Sequence, residues 1–286
     1  MPYQFSFAFD SVIVIESLRK GDLPTGTDLF ETTIAPQSLA QNIYAELYHI
    51  SSRAELLAVL AKAFQMAMDS RSPIIHLEMH GDTDGLQLAN GDVMEWSELA
   101  PALGKINERT RMNLLVVAAA CHGWHMTDIL RPVDRAPAWA IMGPPSSAKA
   151  GDLYAAMKRF YDSLLMKLNL REALDAMNDG ADMGDWTYRL QSADLLYCHV
   201  FRHYMSSVLE EDSHTERVNR LVADVARAQN LDVSQSMRLR VEIGADISNH
   251  QFWFDRYKTS FLMLDLYPQN AHRFPMQFAD CASNAV

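Results

Sequence analysis

Two apolar runs dominate the hydrophobic pattern, and both end close to a glycine. The first reads Pro73-Ile74-Ile75-His76-Leu77-Glu78-Met79-His80-Gly81-Asp82. The second reads Asn113-Leu114-Leu115-Val116-Val117-Ala118-Ala119-Ala120-Cys121-His122-Gly123. Runs of this length, rich in Val, Ile and Leu, are the pattern of parallel strands buried on both faces. In open parallel sheets, ligands and chemistry gather beyond the carboxyl ends of the strands. If the two runs are parallel neighbours, an imidazole (His80) and a thiol (Cys121) share one sheet edge.

The rest of the pattern supplies helices between strands. Tyr3, Phe5, Phe7 and Phe9 alternate with smaller residues and predict a half-buried strand, followed by a second one from Val12 to Leu18. Residues 19–28, with Gly21, Pro24 and Gly26, read as a loop. Ser52 and Glu55 have capping-box spacing at the head of a helix from about Arg53 to Asp69, with Leu56, Leu60, Ala63, Phe64 and Ala67 on one face. Asn90-Gly91 lies between short apolar pieces from Gly85 to Met94, a hairpin signal. A helix from about Trp96 to Asn107 feeds the second apolar run. Pro137–Met142 predicts a further strand, then comes a helix carrying Tyr154, Met157, Tyr161, Leu164 and Leu168 on one face. Asn169 and Glu172 box another helix, and Trp186–Gln191 offers a last strand. This alternation predicts an α/β sandwich with a mainly parallel sheet. From about Leu195 the pattern turns helical, with an aromatic cluster of Phe252, Trp253, Phe254, Tyr257 and Phe261. Residues 1–195 and 196–286 are therefore expected to be an α/β domain and a helical extension.

Charge and cysteine usage narrow the function. A formal net charge of −11 argues against nucleic acid or anionic lipid as a general partner. No window reaches the length of a membrane span, and the N-terminus lacks the pattern of a signal peptide. Cys121, Cys198 and Cys281 are too few and too scattered for a disulfide framework, which fits a reducing compartment. The expectation is a soluble cytoplasmic protein that needs no cofactor.

A thiol, a base within reach and donors for a developing oxyanion make a cysteine hydrolase. Cys121 supplies the thiol and His80 the base. Gly81 lets backbone approach a ligand closely, so its N–H and that of Cys121 are the candidate oxyanion donors. The bland reading of Cys121 is a small buried hydrophobe. A metal site is the rival chemistry, since His76, Glu78 and His80 share a strand face and Cys121, His122 and His125 lie at the other strand's end. His76 and His80 are about 13 Å apart along a strand, too far for one ion. His76 reads better as a satisfied core histidine.

Ile74–Gly81, the hairpin Gly85–Gly91 with Trp96 and Leu99, and Leu114–Gly123 together resemble a caspase-like (clan CD) cysteine peptidase. The bacterial CHAT group is the nearest in pattern, and the likeness continues through Phe160-Tyr161 and Glu172-Ala173, covering roughly residues 10–195. The resemblance implies a three-layer sandwich, His80 as general base, Cys121 as nucleophile, and Gly81 with the Cys121 amide as oxyanion hole. It further implies a protein or peptide substrate, and a place in bacterial defence or regulated proteolysis under a regulatory protein partner. An inactive binding module on the same fold is the alternative. One departure concerns specificity: in metacaspase-like relatives an aspartate two residues before the cysteine helps select basic residues, and this chain has Ala119, so that acidic clue for Arg/Lys cleavage is missing. Arg131 and Arg135 follow the cysteine strand and read as solvated charges before substrate contacts.

Overall fold

In a computed structural model, which describes residues 7–178, 188–209 and 211–282, the two apolar runs are neighbouring parallel strands. The chain divides into two compact units, one of residues 1–130 and 136–193, the other of residues 131–135 and 194–286.

The first unit is built on a sheet. Its strands are β1 (Ser11–Ser17), β2 (Tyr44–His49), β3 (Pro73–Gly81), β6 (Leu115–Ala119), β7 (Ala140–Gly143) and β8 (Arg189–Ser192), in the order β2-β1-β3-β6-β7-β8. All neighbours are parallel except β7 and β8, which run antiparallel. The central strands β1, β3 and β6 are buried on both faces, which is why their sequences run apolar without alternation. The hairpin signal becomes β4 (Gly85–Gln87) and β5 (Val93–Glu95), with β4 pairing onto the end of β3.

Helices α3 (Arg53–Met68) and α4 (Trp96–Arg109) pack together, as do α1 (Thr25–Leu29), α2 (Ala35–Ala40), α5 (Ala150–Lys167) and α6 (Leu170–Asn178). This mixed α/β arrangement around a mainly parallel sheet fits a three-layer sandwich. The Ser52 capping box forms as its spacing predicts: the hydroxyl accepts from the Glu55 N–H while Glu55 reaches back to the Ser52 N–H. A single π-helical turn, Phe30–Ile34, joins α1 to α2.

Three expectations change. The aromatic strand does not form over its described part: Phe7 and Phe9 lie outside any strand, and Phe7 stacks on Trp139. Residues 1–6, like Trp186 at the start of the last expected strand, lie outside the described residues. The segment read as a loop contains α1, and β2 was not anticipated.

The second unit holds α7 (Ala193–Leu209) from Asp194 onward, α8 (Glu211–Gln229), α9 (Val233–Ser248), α10 (His250–Phe261), α11 (Asn270–Arg273) and α12 (Phe278–Ala282). Its core is aromatic. Tyr197, Phe201, Phe254 and Phe261 are fully buried, and the Tyr197 hydroxyl donates to the Phe254 carbonyl at 2.6 Å. Phe252 of the expected cluster is instead half exposed. Cys198 and Cys281 form a disulfide across 83 residues, which corrects the expectation that all three thiols are free. Sequence spacing cannot show such a pair, because the fold and not the interval brings its members together.

Candidate active site

β3 and β6 run in register, with Glu78 opposite Ala119, and two further residues along each strand stand His80 and Cys121. The juxtaposition is visible in Gly81. A β-carbon there would lie 2.6 Å from the Cys121 carbonyl oxygen and 3.0 Å from the Ala120 methyl, so only glycine allows the two chain ends to approach this closely. The structure thus brings His80, Gly81 and Cys121 together at one edge.

The chain leaves β6 through a tight turn. His122 adopts a left-handed backbone (φ 58°), a conformation histidine tolerates better than most residues. The Gly123 N–H donates to the Ala120 carbonyl, and a β-carbon on Gly123 would strike the Ala118 carbonyl at 2.6 Å. A short 3₁₀ helix follows, Gly123–Thr127, with the Trp124 N–H donating to the Pro144 carbonyl beyond β7. Cys121 is therefore held on a backbone fixed from both sides. The thiol is half-buried and donates to the Ala148 carbonyl at 3.7 Å; it makes no hydrogen bond to His80 in this arrangement. Among the described residues, the backbone N–H of Cys121 has no acceptor.

His80 is 46% exposed and bonds through Nε2 to the Asp22 carboxylate at 2.9 Å. That fixes one ring nitrogen and leaves Nδ1 for other work. The bond to His80, then the Arg19 N–H, holds the Asp22 carboxyl below its usual range. Asp22 is a site residue that sequence reading missed. It lies 58 positions before His80 in a Gly/Pro loop, and its only signal is its position just after a central strand.

Beneath this edge lies a buried polar cluster. His76 is fully buried, with Nε2 on Glu78 (2.9 Å) and Nδ1 on the Tyr161 hydroxyl (3.2 Å), so it is the satisfied core histidine expected. Glu78 also accepts from the Thr25 hydroxyl at 2.6 Å. On β1, Glu16 accepts from the Thr27 N–H and hydroxyl. These bonds tie α1 to the sheet.

The other candidates are spent elsewhere. His122 Nε2 bonds Ser147, and His125 bonds Asp128. Among the described residues, no group of three or more His, Cys, Asp or Glu side chains is arranged to hold a metal ion. Arg131 pairs with Asp134, and Arg135 makes a two-pronged ion pair with Asp265 inside the second unit.

No family model matches this chain, and no curated protein resembles it closely enough to count as a relative.

Proposed function

We propose that this chain is a cysteine endopeptidase of caspase-like architecture, with His80 as general base and Cys121 as nucleophile. The observation that carries the reading is the meeting of the β3 and β6 ends, where Gly81 packs on the Cys121 carbonyl. His80 takes the thiol proton, and the sulfur attacks the carbonyl carbon of the scissile peptide bond. The N–H groups of Cys121 and Gly81 stabilise the resulting oxyanion. Collapse breaks the C–N bond as the His80 imidazolium returns its proton to the leaving amine. A water, deprotonated by His80, then attacks the thioester, which releases the new carboxyl terminus and the thiol. The Asp22 carboxylate, kept ionised, holds the imidazole in orientation.

A sensor-controlled role in bacterial defence or regulated proteolysis, with a regulatory protein partner, belongs to the same proposal and rests on the family resemblance alone. Among the described residues, no helix is long and apolar enough to cross a membrane. The Cys198–Cys281 bond counts against a permanently reducing compartment, and so against the cytoplasmic expectation. A catalytically silent binding module is the second reading, favoured by the thiol's bond to Ala148 in place of His80.

The test is mapping of new N-termini after incubation of the full chain with a denatured protein mixture. Cleavage should survive EDTA and vanish in Cys121→Ala and His80→Ala. Products that persist in Cys121→Ala, or are lost on chelation and restored by zinc, would overturn the thiol mechanism.

A further inference from the structure

The two long helices α8 and α9 of the second unit form a hairpin that is well capped and poorly covered. α8 closes on Asn230 in a left-handed conformation, with the Leu231 N–H donating to the Ala226 carbonyl at 3.0 Å. α9 opens on a capping box: Asp232 accepts from the Gln235 N–H and Gln235 from the Asp232 N–H, both at 2.8 Å. The turn is thus fixed by its own bonds. Packing is sparse by contrast. Val218 and Ile247, at the base of the hairpin, are buried, with Tyr204, Val222 and Ile243 against them. From Asn219 to Asp246 no residue is buried. Two helices alone cannot bury the apolar faces they carry, and a further layer is needed to cover them.

The uncovered apolar residues lie on one side. Val233, Met237 and Val241 follow at i, i+4 and i+8 on α9 and are 79%, 67% and 73% exposed. Arg240 marks that side, three residues after Met237 and seven after Val233, and its guanidinium bonds the Asn219 side chain across the hairpin. Gly244, one turn beyond Arg240, shares the side, and on α8 so do Ala223 and Ala226, one and two turns beyond Asn219. Glu242 and Asp246 of α9 and Asp224 of α8 fall on the opposite side. The face therefore sets large residues on α9 beside small ones on α8, with Arg240 as its cation.

We propose that this face is a homodimerisation surface, and that its occupant is the same hairpin of a second copy. A two-fold axis parallel to the helices sets α9 of each copy over α8 of the other, so each stripe of Val233, Met237 and Val241 packs onto Ala223 and Ala226 in an antiparallel four-helix bundle. The levels agree. The Arg240–Asn219 bond fixes the antiparallel register, which puts Met237 level with Ala223 and Val233 level with Ala226. Charge agrees as well. Glu216, exposed and three residues before Asn219, stands within a helical turn of the Arg240 level, so Arg240 of each copy meets Glu216 of the other. The area is sufficient too. The 16 residues of α9 span about 24 Å, and two helices side by side about 20 Å, so two copies bury on the order of 1,000 Å², where specific interfaces begin.

The experiment is sedimentation velocity of the full chain at rising concentration. It should show a reversible monomer–dimer equilibrium, with a Kd in the micromolar range that such an area supports. Met237→Glu places an unpaired carboxylate in the interface twice per dimer and should weaken it at least about a hundredfold. That side chain is exposed in the monomer, so the melting temperature of dilute protein should hold. Arg240→Glu and Glu216→Arg should each weaken the dimer about tenfold, and the two together should restore it. A chain that stays monomeric at every concentration would overturn the proposal. So would a dimer that Met237→Glu leaves intact, or charge reversals that do not rescue each other. None of these outcomes depends on peptidase activity.

Discussion

The two halves of β3 each present a histidine to the same face of the sheet, in opposite surroundings. His76 is sealed between Glu78 and Tyr161, with both ring nitrogens satisfied by buried groups. His80, four residues on, stands at the strand end with one nitrogen on an exposed loop carboxylate and the other unassigned. Depth along one strand thus separates a structural imidazole from one able to exchange protons. The lower histidine is held by buried partners, and the upper one is the general base of the proposed mechanism.

The sharpest break would come from removing each ring in turn. His80→Ala should slow peptide-bond cleavage by about 10²–10⁴-fold, the usual worth of a positioned acid–base, with an unchanged melting temperature. Cleavage assays beside a thermal melt check both halves. A large loss of stability in this variant would erase the contrast.

The cysteines repeat the comparison at larger range. Cys121 is free and partly exposed, whereas Cys198 and Cys281 are joined. Reduction, or Cys198→Ser, should cost about 4.5 kcal/mol of unfolding free energy, the chain-entropy value for closing so long a loop. Denaturant melts with and without reductant supply the number. Iodoacetamide should modify Cys121 in the native protein and the other two only after reduction.

His76→Leu should be smaller again, about 3 kcal/mol, because Glu78 and Tyr161 lose a buried partner. Urea unfolding measures it. A neutral result would mean that the buried cluster serves no structural purpose.

Asp22→Asn should have the smallest effect, roughly a tenfold loss of rate, since an exposed pair orients the ring weakly. Its sign with pH is fixed. A carboxyl held below its usual range favours the folded pair above the ordinary carboxylate pKa, and that contribution fades as pH falls through the lowered one. The wild-type rate should therefore show no Asp22 titration from pH 5 to 8, which a pH–rate profile tests directly.

Local signals in the chain were readable and distant ones were not. The apolar runs of β3 and β6, the Ser52–Glu55 box and the Asn90-Gly91 hairpin declare themselves within a few residues, and all three form. β2 was missed because it is an edge strand, intermediate to exposed along its length, so no clean alternation survives. The helices between residues 25 and 40 were missed because Thr25, Gly26, Thr27, Thr32, Thr33 and Pro36 favour other conformations, and packing overrides them. His80, Gly81 and Cys121 were visible as residues at strand ends. Asp22 was not, since only the folded chain brings it to that edge.

The passage of the chain between its two units has a consequence for dissecting the protein. Residues 131–135 belong with the second unit yet are encoded between the strand that bears Cys121 and β7. A gene cut once after codon 193 would leave Arg135 on one product and its partner Asp265 on the other. The second unit is thus not a contiguous stretch of sequence, and one cut cannot separate it whole from the first.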